Sequence, residues 1–312
     1  MALFRTKKFI LFIIVLITIL WVFQDNFLFL KKTTEQSSSI NQDIKETAYL
    51  EKIDNFLLKE YSKEQILLHT IEAETYYSYK NSPVQMFEVE VKTFNKNHEE
   101  GLVLTSNRAE ILKSGEMFFN GEVKIQTKTG VSHELDSESL IVLSDNGQII
   151  SNKEVTYLGE TSRIISERME MDIDSDIMFL SGNVKIFEES GATIDTKNLY
   201  ISHNAGEKIY KSKEKTIYRS NETMASSENG VYIDMNTKLV NLLGKVKVIS
   251  YSGAILKSSN VEIDKSNDGE VLKSNSSSHF NSNSVDIKAK KMHYDAVTKK
   301  LKLTNKVVAV YE

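Results

Sequence analysis

The amino-acid sequence predicts an all-β protein, an elongated stack of strands that follows one N-terminal transmembrane helix. Three observations support this fold class. A residue pattern recurs about every 61 residues, the clearest strand in each repeat alternates apolar and polar side chains, and proline occurs once among 312 residues. Because proline cannot donate a hydrogen bond to a neighbouring strand, a chain almost free of it suits long, regular strands.

The N-terminal segment has the layout of a membrane anchor. Residues 1–8 carry three basic side chains, and residues 9–30 form a largely apolar stretch of 22 residues, which is long enough to span a bilayer. Basic residues on the short side of the helix favour a cytoplasmic N-terminus. The alternative is a cleaved signal peptide, but no cleavage site of small residues follows the apolar core. We expect residues 9–30 to be retained as the anchor, with residues 1–8 in the cytoplasm.

Residues 31–61 link this anchor to the strand region. The segment begins with polar, serine-rich chain, and residues 43–61 space their apolar side chains as a helix does. Two interpretations stay open, a short amphipathic helix and a partly ordered linker. The strand region is predicted to extend from residue 62 to residue 312. Its first strands are predicted at residues 67–79, 86–94 and 102–112.

The repeat is defined by an anchor residue and three further features. The anchors lie at intervals of 61, 62 and 61 residues, at Gly121, Gly182, Gly244 and Asn305. A second glycine follows the first three anchors after nine residues, at Gly130, Gly191 and Gly253. A polar triplet and an aliphatic residue come next, as in Thr196-Lys197-Asn198-Leu199. An aspartate lies ten residues before the last three anchors, at Asp172, Asp234 and Asp295. Several positions that agree at a constant period indicate a repeat architecture.

The chain around each anchor alternates as a half-buried strand does. The residues two and four positions either side of the anchors are all apolar, whereas most intervening residues are polar. We predict that the following residues face inward: Met117, Phe119, Val123, Ile125, Met178, Leu180, Val184, Ile186, Val240, Leu242, Val246, Val248, Leu301, Leu303, Val307 and Ala309. A shift of one residue would turn lysines inward, so the register is well specified.

The length of a repeat leaves room for about four strands of ordinary size, or roughly sixteen strands in one elongated domain. With two strands in each rung, the stack is expected to be on the order of 40 Å long. The stretch rich in serine and asparagine from Ser274 to Ser284 is predicted to be an extended loop inside the third repeat.

Composition and motif content argue against catalysis. The chain has 39 basic and 43 acidic residues, too balanced for a broad nucleic-acid-binding surface, and it has no cysteine. Its six histidines are scattered, so no helical pair of metal ligands is present. Neither a phosphate-binding loop nor a nucleophile motif occurs. We therefore predict a protein that is not an enzyme and has no cofactor, metal site or nucleic-acid partner.

Three features of the repeat resemble the OstA-like repeats of lipopolysaccharide transport proteins. They are the Gly-x-Val-Lys-aliphatic strand within residues 180–186, the triplet strand at 196–199, and the aspartate ten residues ahead of an anchor, as in 234–246. The entry strands at 87–91 and 101–109 are similar to those of the LptC family. Together with an uncleaved anchor, these features make the whole chain resemble LptC proteins. Members of that family are usually shorter, and the later repeats resemble LptA.

The resemblance implies an open β-jellyroll, or β-taco, that holds lipopolysaccharide with its acyl chains inside and its sugars protruding. The inward residues from Met117 to Leu303 would line that groove. The implied partners are lipopolysaccharide, an inner-membrane ABC transporter and an LptA-like periplasmic protein. The protein would be a single-pass inner-membrane protein with its bulk in the periplasm. The transporter's ATPase would power the movement, so no cofactor is implied here.

Two alternatives stay open for the repeated residues. The inward apolar face could instead be the closed core of a structural or adhesive β-solenoid on a membrane stalk. The recurring lysines Lys124, Lys185 and Lys247 could form a solvated outer face or contact head-group phosphates.

The last repeat has an expected partner edge at Lys306, Val307, Val308, Ala309 and Val310. No polar cap follows these residues in the sequence, and an uncapped strand leaves backbone groups available to another chain. We expect strand addition by the LptA-like partner at this edge. The alternative is that the final strand only pairs within its own repeat.

Overall fold

A computed structural model describes residues 49–95, 97–128, 133–143, 147–172, 175, 177–203, 206–251, 253–267, 269–282 and 285–311. These residues form β-strands and no α-helix, as the all-β prediction requires. Nothing in this part of the chain is a helix long and apolar enough to cross a bilayer. The predicted anchor, residues 9–30, and most of the predicted linker lie outside the described residues.

The chain divides into two compact units, one of residues up to 132 with 138–150, the other of 133–137 with 151–312. The strand bounds are β1 Glu51–Tyr61, β2 Leu67–Ser78, β3 Val84–Phe94, β4 Glu100–Ile111, β5 Met117–Thr127, β6 Glu134–Val142, β7 Gln148–Ser151, β8 Val155–Leu158, β9 Ser162–Asp172, β10 Ile177–Glu188, β11 Thr193–Ser202, β12 Ile209–Ser212, β13 Thr216–Arg219, β14 Thr223–Ser227, β15 Val231–Asp234, β16 Leu239–Ser250, β17 Ile255–Asp264, β18 Val271–Ser274, β19 Ser278–Ser282, β20 Val285–Ala289, β21 Lys291–Asp295, β22 Lys300–Thr304 and β23 Val308–Tyr311.

The strands follow one another as an antiparallel meander. Each long strand pairs with the strand before it and the strand after it, as β10 does with β9 and β11. Some strands are interrupted near their middle, so that β12 and β13 together pair with β11, and β14 and β15 together pair with β16. When such halves are counted as one strand, the second and third repeats each contain four strands, as predicted. The interruptions explain why the described residues contain 23 strands.

The anchor glycines mark the points where the long strands bend. Gly182 and Gly244 have positive φ angles of 86° and 76°, and the pairing register shifts beside each. The Gly244 amide donates a 2.7 Å hydrogen bond to Oδ1 of Asn260, and the Gly182 amide donates one of 3.2 Å to Oδ1 of Asn198. The third residue of the polar triplet therefore closes the bend, which explains why triplet and anchor recur together.

The first residue of the triplet lies on the inner face, at the corner where the neighbouring strand is interrupted. The Thr196 hydroxyl oxygen lies 2.9 Å from the hydroxyl oxygens of both Ser212 and Thr216. The third repeat has the same arrangement around Ser258, at 2.7 and 2.9 Å. Small side chains allow a sharp corner, and their mutual hydrogen bonds satisfy hydroxyl groups that are buried.

The recurring aspartates cap the turns that lead into the anchor strands. Oδ1 of Asp234 accepts hydrogen bonds from the backbone amides of Asn236 and Thr237. Oδ1 of Asp295 does the same for the two amides at the corresponding turn. A side chain that bonds the backbone two and three residues ahead is a turn former, so this position has a structural role.

The helical interpretation of residues 43–61 is wrong for the part that the structure describes. Residues 51–61 form β1, which pairs with β2 along nearly its whole length. The misleading signal has a local cause at Asn55, whose φ is 55° and which has no partner in the register. The left-handed backbone at Asn55 turns the strand about its axis, so that Ile53 and Phe56 lie on the same face although they are three apart, as in a helix. The strand region therefore begins at residue 51 rather than 62.

The predicted loop from Ser274 to Ser284 is also corrected. Ser274 ends β18, and residues 278–282 form β19. The described residues between these strands form a short corner, at which the hydroxyl groups of Ser274 and Ser278 both bond to Ser258 across the inner face. A segment rich in serine is typical of a loop, but here the serine hydroxyl groups form the hydrogen bonds at the corner of a bent strand.

The fourth anchor strand is interrupted, unlike the three before it. Residues 300–304 form β22 and residues 308–311 form β23, and the chain between them contains Asn305 and Lys306 at φ angles of 64° and 54°. β22 pairs with β21, and β23 pairs with β20. Two consecutive residues in the left-handed region break the strand where a single glycine only bends the earlier ones.

Candidate functional site

The inward residues of the first three anchor strands share one property, which is near-complete burial. Each is at most 6 % exposed, and their outward neighbours Glu122, Lys124, Lys185 and Lys247 are exposed. The buried set is Met117, Phe119, Val123, Ile125, Met178, Leu180, Val184, Ile186, Val240, Leu242, Val246 and Val248. The strand register from the sequence is therefore correct, whereas the role of these side chains as a lipid-groove lining stays a prediction.

The fourth anchor strand is less buried than the others. Leu301 and Leu303 are half-buried, and Ala309 is exposed. Val307 is 48 % exposed and lies between the two half-strands. Val307 and Ala309, which the sequence predicts to face inward at an uncapped edge, are left uncovered, because no further strand packs beyond β22 and β23 among the described residues.

The inner face includes many residues that the alignment of anchor strands did not find. The strand after each anchor strand contributes as much apolar surface, as Ile194, Leu199 and Ile201 in β11 show. Residues 193–202 do alternate between buried and less buried side chains on each side of the polar triplet. The bend at the triplet shifts this alternation by one residue, so the whole strand does not follow a period of two.

The interior of the second unit is closed. Leu180, Ile194, Leu199, Val240 and Leu242 each have a relative exposure of 0 %. Interiors packed to this degree have no room for a second molecule unless the walls move apart. A lipid could enter only by displacing these side chains from one another.

Polar rings lie at one margin of this interior. Tyr157 is 1 % exposed, and its hydroxyl oxygen is 3.3 Å from Nδ1 of His133 and 3.4 Å from Nε2 of His203. The two imidazole rings stack with their centroids 4.5 Å apart. Next along the margin, burial and the Glu270 carboxylate raise the pKa of Tyr218 well above its usual value. These interactions satisfy buried phenol groups, so they hold the margin together.

An ionisable pair lies on the inner face at the other end of the strand order. Glu60 in β1 and His69 in β2 are direct cross-strand partners. Burial raises the pKa of Glu60 to about 7 and lowers the pKa of His69 to about 4. Both side chains are therefore biased toward their neutral forms in an environment that disfavours charge.

The predicted partner edge is exposed. Val308 and Val310 are 60 % and 56 % exposed, and Lys306 and Ala309 are also exposed. Pairing with β20 uses one edge of β23, and within the described residues no strand pairs with the other edge. An apolar strand with free backbone groups on one side has the properties needed for strand addition.

Clusters of potential metal ligands were sought in the part of the chain that the structure describes. No group of three or more histidine, aspartate or glutamate side chains there is arranged to hold a metal ion. The histidines that do meet, His133 and His203, contact Tyr157.

Comparison with known protein families identifies a match over most of the chain. A protein-family model described as "Lipopolysaccharide-assembly, LptC-related" matches residues 10–189 and 207–312. A search of the curated proteins found no match. The residues matched by the family model include every anchor strand and nearly all of the segment predicted to be the membrane anchor.

Proposed function

The chain belongs to the LptC-related family of lipopolysaccharide-assembly proteins, and from this premise we propose that it is a membrane-anchored carrier in lipopolysaccharide export. In this proposal residues 9–30 hold the protein in the inner membrane with its bulk in the periplasm. It receives lipopolysaccharide from the ABC transporter and passes it along the apolar interior to an LptA-like protein. The transporter's ATPase supplies the energy, so the carrier itself needs no cofactor.

The observation that carries the proposal is the recurrence of buried apolar side chains at equivalent positions of successive repeats. Phe119, Leu180 and Leu242 occupy equivalent inward positions, and each is at most 1 % exposed. Such a face offers the same environment to an acyl chain at every step. Because the interior is closed, entry of the lipid requires the bent strands to open at their margin. Burial of acyl methylene groups, worth about 0.8 kcal/mol each, would offset the loss of packing between inward side chains when the strands open.

The closed interior also favours a second function, that of a structural β-solenoid on a membrane stalk. The zero exposure of Leu180, Val240 and Leu242 is what a permanently packed core would show. The two functions differ in one observable, since only a carrier has lipid against its inward side chains during export.

The carrier function includes delivery at the C-terminal edge. Val308 and Val310 are exposed on a strand whose second edge is unpaired among the described residues. A strand from the LptA-like partner would pair with the backbone of this edge and continue the sheet into the partner.

A photo-crosslinking residue placed at Val308 in living cells tests delivery. We expect an adduct with a different protein at Val308 and none at Lys197, an exposed outward position in β11. Deletion of residues 299–312 should leave membrane insertion intact and abolish the adduct. Normal export after the deletion, with no adduct anywhere from Lys306 to Val310, would remove the edge from the mechanism.

A further inference from the structure

The outer face of the third repeat carries a row of four basic side chains on neighbouring strands. Lys247 in β16 is the direct cross-strand partner of Lys257 in β17. Lys257 is in turn opposite His279 in β19, and His279 is opposite Lys288 in β20. Directly opposed side chains on neighbouring strands have Cβ atoms about 5 Å apart, and like charges in that position destabilise a sheet.

The second repeat shows that this arrangement is not required by the architecture. Lys185 is equivalent to Lys247, and its cross-strand partner is Asp195. Asp195 also forms an ion pair with Arg219. The same strands therefore carry alternating charges in one repeat and a single sign in the next. The difference lies in the outward residues alone, because the inward residues are apolar in both repeats.

The carboxylates close to the row do not neutralise it. Asp286 lies 2.6 Å from Nε2 of His279, and Glu228 lies 3.7 Å from Nζ of Lys245 with both side chains largely exposed. Within the residues that the structure describes, neither Lys247 nor Lys257 has an ion-pair partner. These two neighbouring lysines are thus available to an external anion.

The row borders a depression of about 680 Å³ in the outer surface of the second unit. Its lining combines four lysines with hydroxyl groups and one glutamate. The side chains that bear on the inference are Lys215, Ser226, Lys245, Lys247, Lys257 and His279. Small-molecule sites have volumes of about 300–1,000 Å³. A concave surface of this size suits a compact ligand rather than a flat membrane. The half-buried Ser226 on its lining suits a ligand with hydroxyl groups of its own.

We propose that this depression binds a phosphorylated saccharide, with phosphate oxygens between the ammonium groups of Lys247 and Lys257. Hydrogen bonds between an ammonium and a phosphate are charge-assisted and stronger than neutral ones. Such a ligand converts the repulsion between the lysines into shared attraction for one anion. The ligand is either the head group of a glycolipid or a free sugar phosphate. This site lies on the outer face and does not depend on lipid passage through the interior.

Substitution at Lys257 separates binding from folding. Lys257→Asp recreates the opposed charges of Lys185 and Asp195, so the sheet should be at least as stable as in the wild type. Lys197→Asp makes the same change of charge at an exposed position of β11 and is the matched control. Both variants are made in the full chain, purified in detergent.

The probe is the glucosamine disaccharide bisphosphate obtained by complete deacylation of lipid A, measured by isothermal titration calorimetry. We expect binding that weakens as salt rises, a loss of about tenfold in affinity for Lys257→Asp, no loss for Lys197→Asp, and no fall in the melting temperature of Lys257→Asp. Equal affinity of Lys257→Asp and wild type would overturn the proposal. So would equal affinity for the unphosphorylated disaccharide.

Two further probes identify the source of the anion. Inorganic phosphate that binds as tightly as the bisphosphate would show a simple phosphate site and would overturn the saccharide assignment. Intact lipopolysaccharide that binds with the same dependence on Lys257 supports the head group of a glycolipid as the ligand. If the dependence on Lys257 is seen with the soluble bisphosphate alone, a free sugar phosphate is the ligand.

Discussion

The third and fourth anchor strands carry the same apolar alternation in different surroundings. β16 pairs with β14 and β15 on one side and with β17 on the other. β22 and β23 pair on one side only among the described residues. Val246 is 3 % exposed, whereas Val307 at the equivalent position is 48 % exposed. The alternation decides which face of a strand is apolar, and the next strand in the stack decides whether that face is buried.

Replacing Val246 or Val307 by aspartate is expected to give the largest difference in stability between the third and fourth anchor strands. Val246→Asp places a carboxylate inside a closed core, which costs several kcal/mol. Val307→Asp places it at an exposed position, where substitutions change stability by about 0.5 kcal/mol or less. Urea unfolding of the two variants measures the difference. Equal losses of stability would show that the last repeat is as covered as the third.

The two anchor residues themselves should show a smaller difference. A methyl group added at Gly244 would meet the side chain of Asn229 at 2.5 Å, and φ there is 76°. Gly244→Ala should therefore cost about 1–3 kcal/mol. Asn305→Ala, at a φ of 64°, should cost about 1 kcal/mol, because only the left-handed backbone is at issue. Thermal unfolding that ranks Asn305→Ala as the more damaging change would contradict the role assigned to the bends.

The first strand, β1, pairs only with β2 among the described residues. The pH dependence of stability tests how far the side chains of this strand are buried. Burial raises the pKa of Glu60 from 4.5 to about 7, so the folded state holds this proton more tightly than the unfolded state does. Its contribution to stability is complete below pH 4.5 and is lost as the pH rises through 7. Glu60→Gln should remove that loss, giving a flatter profile of melting temperature from pH 4.5 to 7. An unchanged profile would mean that Glu60 is solvated.

His69, the cross-strand partner of Glu60, has the opposite effect on the pH dependence of stability. Burial lowers the pKa of His69 from 6.5 to about 4, so the unfolded state binds this proton more readily. Its contribution to stability is complete above pH 6.5 and is lost as the pH falls through 4. His69→Gln should therefore protect the protein at acid pH while changing little above pH 7. Melting temperatures of the variant and the wild type at pH 4 and pH 8 provide the measurement.

The anchor strands could be predicted from the sequence because their inward and outward residues differ strongly. The same is true of the capped turns, since aspartate at a fixed distance from the anchor has a clear local role at Asp234. The reason for the polar triplet could not be predicted, because Thr196 and Asn198 act across strands on opposite sides of the bend. In the sequence alone, polar residues such as Thr196 and Asn198 are typical of loops. Their cross-strand hydrogen bonds become evident only when the pairing of the strands is known.

Two further features needed the pairing register. The left-handed backbone at Asn55 gave β1 a helical spacing of apolar residues, and only its pairing with β2 reveals a strand. The opposed lysines Lys247 and Lys257 are ten residues apart, and their opposition follows from the hairpin that joins β16 to β17. The turn of that hairpin is closed by a hydrogen bond from the Gly253 amide to the Ser250 carbonyl.

The most direct test of the central claim is photo-crosslinking at Val184 during active export. Val184 is 2 % exposed on the inner face, and the next residue, Lys185, is exposed on the outer face of the same strand. If the interior carries lipopolysaccharide, a crosslinker at Val184 forms a lipopolysaccharide adduct and one at Lys185 does not. The adduct at Val184 should disappear when the transporter's ATPase is inactive. No adduct at Val184, in a protein that is folded and supports export, would contradict lipid passage and leave the closed solenoid as the function of these repeats.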